Sequence, residues 1–297
     1  MISNAIKLKI TEALRHREEI EGNRIKLCSK LDLHPSALSR ILSGDTEKVL
    51  STGKWISLAR YFNIPLENEV EFVTARTATF EHIWRQLEFA QEYSVSGMLC
   101  DRADIGKTHA AQVYARENKN VVYIDCGLVK TTQRFIRHIA KGFGLDHTGP
   151  FYSIREDLVY YIKTLHNPKP LIILDEFGDL PTSVYLEFKS LWNATDHYCG
   201  FYAMGADGLK NKIDKMIAKK IVGFAEIFSR MGNKFQRITP LANQDFKKFQ
   251  NKQIAKIGRA NGVENIQALH AKTDLSLRRI PIQLGLERKE KETAKTE

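Results

Sequence analysis

The stretch SVSGMLCDRADIGKTHAAQVYARE, Ser94–Glu117, decides the fold. Ser94 to Cys100 is short and largely apolar, as in a buried strand, and the residues after Gly106 run on without Gly or Pro, as in a helix. Between the two stand Gly106, Lys107 and Thr108. A glycine loop passing from a strand into a helix presents backbone N–H groups and a helix N-terminus, which together cradle phosphate. Lys107 then reaches the β- and γ-phosphates, and the Thr108 hydroxyl binds Mg²⁺. These residues form the second half of a P-loop, GxxxxGK[ST]. The first half departs from it, because Asp101 occupies the first glycine position. An aspartate tolerates left-handed backbone better than most residues but adds a carboxylate beside a polyanion, so nucleotide affinity stays open.

Working outward, NVVYIDC (Asn120 to Cys126), PLIILDEFGDL (Pro170 to Leu180) and CGFYAMG (Cys199 to Gly205) supply three further apolar runs of strand length. Helical patterns over 108–117, 132–143, 153–165 and 184–194 alternate with them, which predicts a parallel sheet with right-handed crossovers. The third run ends in Asp175 and Glu176. An acid at a strand tip can hold Mg²⁺ with its water shell while its neighbour polarises the attacking water, as phosphoryl transfer requires. After the fourth run, Asp207 is the residue placed to sense a γ-phosphate, or simply to make a turn with Gly208.

Upstream, apolar residues recur at Ile6, Ile10, Ala13 and Leu14, and short helices are predicted through 24–31, 35–42 and 52–62. In LDLHPSALSRILSG, Pro35 suits the first turn of a helix that stops at Gly44. Two short helices joined by a tight turn are what a helix-turn-helix needs. Ser36, Ser39 and Arg40 lie on the face free to enter a major groove. The stretch from Asn68 to Trp84 carries no Pro or Gly, so the domain boundary is soft and is set near Thr77.

Lys+Arg 45 against Asp+Glu 35 gives a formal charge of +10, which favours polyanionic partners. Lys210, Lys212 and Lys215 lie along LKNKIDKMIAKK, a helix with a narrow apolar stripe. Lys130 and Arg134 follow the second strand. All five are candidates for sequence-independent contacts to DNA phosphates. The four cysteines lie far apart with no CxxC pair, which argues for core residues rather than zinc ligands or disulfides. Neither a leader pattern nor a membrane-spanning run stands out, and a cytoplasmic location is expected.

With the GKT loop, LDE, a strand-four end, FSRMG and SLRRIP in this order, residues of about 80–285 resemble an AAA+ ATPase. More narrowly, with the helix-turn-helix in front, the chain resembles the transposition ATPases of the phage Mu B group. The resemblance implies an α/β architecture: an AAA+ P-loop core with a parallel sheet flanked by helices, a small helical lid and an all-α helix-turn-helix domain. The expected boundaries are 1–69 for the helix-turn-helix domain, 70–79 for a linker, 80–240 for the core, 241–285 for the lid and 286–297 for a charged flexible tail.

The same resemblance implies ATP and Mg²⁺ as cofactors, with Asp101, Asp104, Ile105, Gly106, Lys107, Thr108 and His109 framing the nucleotide and Thr108 and Asp175 holding the metal. Relatives usually carry a further glycine where Asp104 stands. Glu176 is then catalytic, Arg230 takes the place of an arginine finger that completes a neighbouring subunit's site, and Arg278 or Arg279 takes that of the lid's sensor arginine. The implied function is ATP-dependent assembly on double-stranded DNA, as a filament or ring of copies of the chain, to select target DNA and activate a transposase. Hydrolysis is expected to be weak outside the assembly. Two alternatives stand beside this reading: a nucleotide-impaired AAA+ scaffold or regulator that binds DNA, and a helicase-loader ATPase.

Overall fold

The computed structural model describes residues 2–66 and 72–296. Four helices come first: α1 (Asn4–Glu21), α2 (Arg24–Leu31), α3 (Pro35–Leu42) and α4 (Thr52–Phe62). Each boundary has a local cause. Ser3 caps α1 by accepting from the Ile6 N–H, and Gly22 ends it in the left-handed region. Asn23 caps α2, while His34 caps α3 with Pro35 in its first turn. Ile10, Leu14, Leu27, Leu38, Ile41 and Leu58 meet in one buried cluster, each side chain contributing about 1.5–3 kcal/mol by leaving water. The junction expected between 69 and 70 lies outside the described residues.

The core is a sheet of β1 (Ser96–Cys100), β2 (Val121–Asp125), β3 (Leu171–Asp175) and β4 (Gly200–Gly205). All pairs are parallel, in the order β1-β4-β3-β2. Alternation along β3 decides the layers. Leu171 and Ile173 face a cluster with Phe80, Leu87 and Tyr114, whereas Ile172 and Leu174 face one with Phe135, Leu158 and Phe188. Two helices, α5 (Ala78–Tyr93) and α6 (Lys107–Glu117), supply the first layer. The opposite layer is built by α7 (Thr132–Phe143), α8 (Phe151–Thr164), α9 (Thr182–Ala194), α10 (Asp207–Ala218) and α11 (Phe224–Arg230). Gln236 adds a single bridge beside β1, its N–H reaching Met98 O at 2.8 Å. All four cysteines are buried and free.

Where the lid is expected stand α12 (Asn243–Ala260), α13 (Ile266–Thr273) and α14 (Arg279–Thr296), packed around Ile254, Leu269, Ile280 and Leu284. One expectation, the flexible tail, differs from the structure. The backbone from 286 to 296 continues α14 instead of forming an irregular tail; the segment lacks helix breakers and alternates charges. The described part of the linker is packed against the C-terminal helices. Val73 exchanges hydrogen bonds with the Asn261 side chain at 2.8 and 3.0 Å, and Phe72 and Ala75 join the lid cluster. No helix among the described residues is long and apolar enough to cross a membrane.

Candidate nucleotide site

Parallel strands with matched registers bring their C-terminal ends to one edge, where α/β folds bind ligands. Cys100 stands opposite Gly205, and Leu174 opposite Ala203. The chain leaves β1, turns through 101–106 and enters α6 at Lys107. Gly106 makes that entry at φ 93°, a value that suits glycine, and no side chain caps the helix. Its first N–H groups therefore point into the site without a side-chain acceptor, as an anion-binding helix terminus requires. Ile105, fully buried, pins the loop from beneath and does not line the pocket.

The two aspartates of the loop behave differently, and Asp101 departs from the sequence reading. The Asp101 carboxylate is fully buried and turned away from the phosphate position. It accepts from the N–H groups of Ile238 and Thr239, both at 2.7 Å, and from the Thr239 hydroxyl. Burial pushes its carboxyl up, but these bonds outweigh it and hold the group below the ordinary value. Asp101 thus fastens the 236–239 segment to the end of β1; it is a structural anchor and does not line the pocket. Asp104 does line the pocket, in the left-handed conformation at φ 61°. Its carboxylate is engaged by the lid: the Arg278 N–H donates at 3.0 Å, the Ser276 hydroxyl donates as well, and Arg278 Nε lies 3.8 Å away. Gln250 donates to the Asp104 carbonyl at 2.9 Å.

Lys107 is buried at the pocket wall, its ammonium donating to the carbonyls of Asp101 at 3.0 Å and Arg102 at 2.6 Å. Burial lowers its affinity for a proton against the pull of Asp101, Asp175 and Glu176. Thr108 lies exposed beside it. Across the site, Asp175 ends β3 almost wholly buried and accepts from the Tyr123 hydroxyl at 2.9 Å and the Glu176 N–H at 3.0 Å. Glu176 lines the pocket at φ 48°, its carboxyl pushed up by burial and then by Asp175.

The cavity these groups border has a volume of about 280 Å³. Its polar end is the Gly106–Thr108 turn and Glu176; its apolar end is Phe72, Phe80, Ile257 and Pro281. That apolar wall was not foreseen from sequence, because it is assembled from the linker, α5 and two lid helices that only the fold brings together. His109 joins it at the edge, bonded to the Thr74 hydroxyl at 3.0 Å, its basicity lowered by burial and then by Arg116.

The outlying site residues are placed unevenly. Arg278 lines the pocket, while Arg279 is exposed and does not. Asp207 opens α10 next to the pocket residue Ala206 but is not itself in the wall. Arg230 closes α11 and lies 4.7 Å over the Trp192 ring, outside its own pocket.

Among the basic positions, Arg134, Lys210 and Lys215 are exposed, and Lys130 donates to the Asp179 carbonyl at 3.0 Å. Lys212 departs from expectation: it donates to the Gly178 and Leu180 carbonyls at 2.7 and 2.6 Å, closing the turn after β3. In α3, Ser36 bonds His34, Ser39 accepts from Arg24 and Arg40 pairs with Asp45 at 2.7 Å.

A parallel α/β sheet with a phosphate loop between its first strand and α6 defines a P-loop domain, and residues 91–212 match the family model described as an AAA domain. The chain is 26% identical over 237 residues to the ATP-dependent target DNA activator B of Escherichia phage Mu, covering 76% of this chain and 69% of that protein. The corresponding protein of Escherichia phage D108 matches with the same identity and extent. Together these findings support an AAA+ ATPase of the Mu B type. Among solved structures, the ORC2 protein of Aeropyrum pernix aligns with TM-score 0.44 and 17% identity, over 65% of this chain and 54% of that one. Cdc6p of Pyrobaculum aerophilum aligns with TM-score 0.46 and 14% identity, over 68% and 53%. The chain spans about half the length of these two.

Proposed function

We propose that this chain is an ATP-dependent DNA-binding protein that assembles on double-stranded DNA, selects target DNA and activates a transposase. The observation that carries the reading is the pocket itself: an uncapped helix N-terminus with Lys107 and Thr108, faced by Glu176 with Asp175 at the strand end behind it, in a chain similar to an ATP-dependent target DNA activator. The donor set fits ATP with Mg²⁺. Free N–H groups and Lys107 suit the phosphates, the Thr108 hydroxyl and Asp175 suit a hard cation that keeps most of its waters, and the apolar wall suits a base. Bound Mg²⁺ supplies neutralisation of charge on the β- and γ-phosphates.

The chain's own residues do the rest. Lys107 leaves the loop carbonyls for phosphate. Glu176 accepts a proton from water, and Arg230, remote from its own pocket, serves the site of an adjoining copy. Asp207 and one of the pair Arg278 and Arg279, with Arg278 the one that lines the pocket, report the nucleotide to the lid. Ser36, Ser39 and Arg40 on a helix-turn-helix, with Lys130, Arg134, Lys210 and Lys215, meet DNA phosphate and groove edges; the tethered Lys212 shapes that surface rather than touching it.

A second reading, a scaffold impaired in nucleotide binding, is favoured by one observation: Lys107 is held by its own loop while Asp104 puts a carboxylate in the pocket. Calorimetry with Mg²⁺-ATP, with and without duplex DNA, separates the two. Micromolar binding that Lys107→Ala removes supports the ATP switch; no binding by the natural chain, recovered in Asp104→Gly, supports the scaffold.

A further inference from the structure

A cavity of about 600 Å³ lies between the first helical domain and the α/β core, beside the C-terminal part of α6. Among the described residues its lining includes six basic side chains, Arg17, Lys30, Lys54, Arg60, Arg116 and Lys141, against a single acidic one, Asp32. Asp32 pairs with Lys141. Behind the wall, the fully buried Glu21 holds Arg17 at 2.7 Å and also pairs with Lys30. Glu21 is thus taken up by Arg17, Lys30 and Lys26 behind the wall, and among the described residues Lys54 and Arg60 have no carboxylate within ion-pair distance. Arg17 is 4% exposed; its Nη1 donates to the carbonyls of Ala115, Arg116 and Asn118 and its Nη2 to Glu21, so it clamps the first helical domain to the end of α6 and leaves the cleft's charge to the other cations.

Like charges gathered at a domain interface repel, and the repulsion is strong where water is thin. Burial, more than the neighbouring cations, lowers two lysines of the cluster. Lys30 is lowered to about 8 by burial, Glu21 opposing and Arg17 and Lys26 adding to the fall. Lys54 is lowered by burial and by Lys141, with Asp32 opposing. An interface that needed only to hold two domains together would be served by balanced pairs. Surplus positive charge in a concave, partly desolvated space concentrates anions instead.

We propose that this cleft binds a small oligophosphate anion, a molecule with several adjacent phosphates, distinct from the ATP at the P-loop. The volume lies within the range of about 300–1,000 Å³ of small-molecule sites and is too confined for a duplex. Guanidinium groups from both domains, Arg60 and Arg116, suit the forked geometry of phosphate oxygens. Two sources share this chemistry: an inorganic oligophosphate and a nucleoside polyphosphate. Tyr61, 41% exposed in the lining, offers a ring face only the second would use. Gln112 lines both this cleft and the nucleotide pocket, so the two sites share a wall.

The test uses the full chain carrying Lys107→Ala, which weakens phosphate binding at the P-loop, titrated calorimetrically with tripolyphosphate and with GTP. Binding at one site per chain is expected, weakened at least tenfold by Lys54→Glu/Arg60→Glu. The same pair in the natural chain should leave the P-loop site intact. Tighter binding of GTP than of tripolyphosphate, lost in Tyr61→Ala, identifies a nucleotide; equal binding identifies the phosphate chain alone. Should the charge reversal unfold the chain, as read by circular dichroism, Lys54→Gln/Arg60→Gln is read in its place, with a several-fold loss expected. Tripolyphosphate affinity unchanged by either pair overturns the proposal. So does an absence of tripolyphosphate binding together with weakened duplex binding in the reversed pair, which would make the cleft part of a DNA surface.

Discussion

The Asp104 carboxylate accepts a hydrogen bond from the Arg278 backbone N–H at 3.0 Å, tying the phosphate loop to the start of the last lid helix. The same carboxylate takes the Ser276 hydroxyl. A residue that departs from the P-loop pattern of glycines therefore has a second occupation, as a latch between loop and lid. Asp104→Gly removes the latch and a negative charge from the phosphate end, and glycine adopts the φ of 61° without strain. Mg²⁺-ATP should bind several-fold tighter, while amides of 275–285 exchange faster with solvent. Calorimetry and hydrogen exchange check the two halves separately.

Asp101→Gly should have the opposite character, although it restores the P-loop pattern. It leaves the Ile238 and Thr239 N–H groups without their acceptor, at about 1–3 kcal/mol for each buried group. A fall in Tm on the order of 10 °C is expected for a chain of this size, with no gain in ATP affinity. The pH dependence carries the same signature. Because the folded carboxyl lies below the ordinary 3.8, its contribution is full above that value and is lost as pH falls through the folded one. Thermal unfolding of the natural chain should therefore decline more steeply below about pH 4 than that of Asp101→Asn.

Glu176→Gln should retain nucleotide binding and lose turnover by about 10²–10⁴-fold, the range for a positioned general base. Burial, followed by the neighbouring Asp175, raises the Glu176 carboxyl above 4.5. Since the ionised form is the one that accepts a proton, the acid limb of the natural protein's ATPase should lie above the ordinary glutamate range. A pH profile of DNA-stimulated phosphate release measures it.

How much of this was legible in the sequence follows from the range of the interactions. The strands were readable because β3 is continuous apolar sequence ending in acids, and the helices because Ile6, Ile10 and Leu14 repeat at helical spacing. The GKT turn was readable because its chemistry is local. The purpose of Asp101 and Asp104 was not, because their partners Thr239 and Ser276 lie far along the chain and no periodicity announces them. Lys212 misled for the same reason: its run of lysines looks like a solvated face until the turn after β3 is placed beneath it. Phe72, Ile257 and Pro281 became a pocket wall only when linker and lid met.

Arg230 poses the sharpest choice between a structural and an assembly role. It lies 4.7 Å over the Trp192 ring, and its Nη1 is buried with no partner among the described residues. A cation–π contact of this kind contributes about 0.5–2 kcal/mol, so a purely structural arginine predicts a modest drop in Tm and unaltered hydrolysis per folded molecule. The trans role predicts otherwise. Arg230→Ala should bind Mg²⁺-ATP as the natural chain does, yet lose the DNA-stimulated part of its hydrolysis by about 10³–10⁵-fold. Arg230→Lys should not restore it, because an ammonium lacks the planar fork that meets phosphate oxygens. Mixing Arg230→Ala with Glu176→Gln separates the roles most cleanly. In an assembly, some sites would then pair an intact Glu176 with an intact Arg230 from the neighbour, so activity should reappear in a mixture of two inactive proteins. If the mixture stays silent while each variant still coats DNA, Arg230 acts within its own subunit and the neighbour contributes nothing through it.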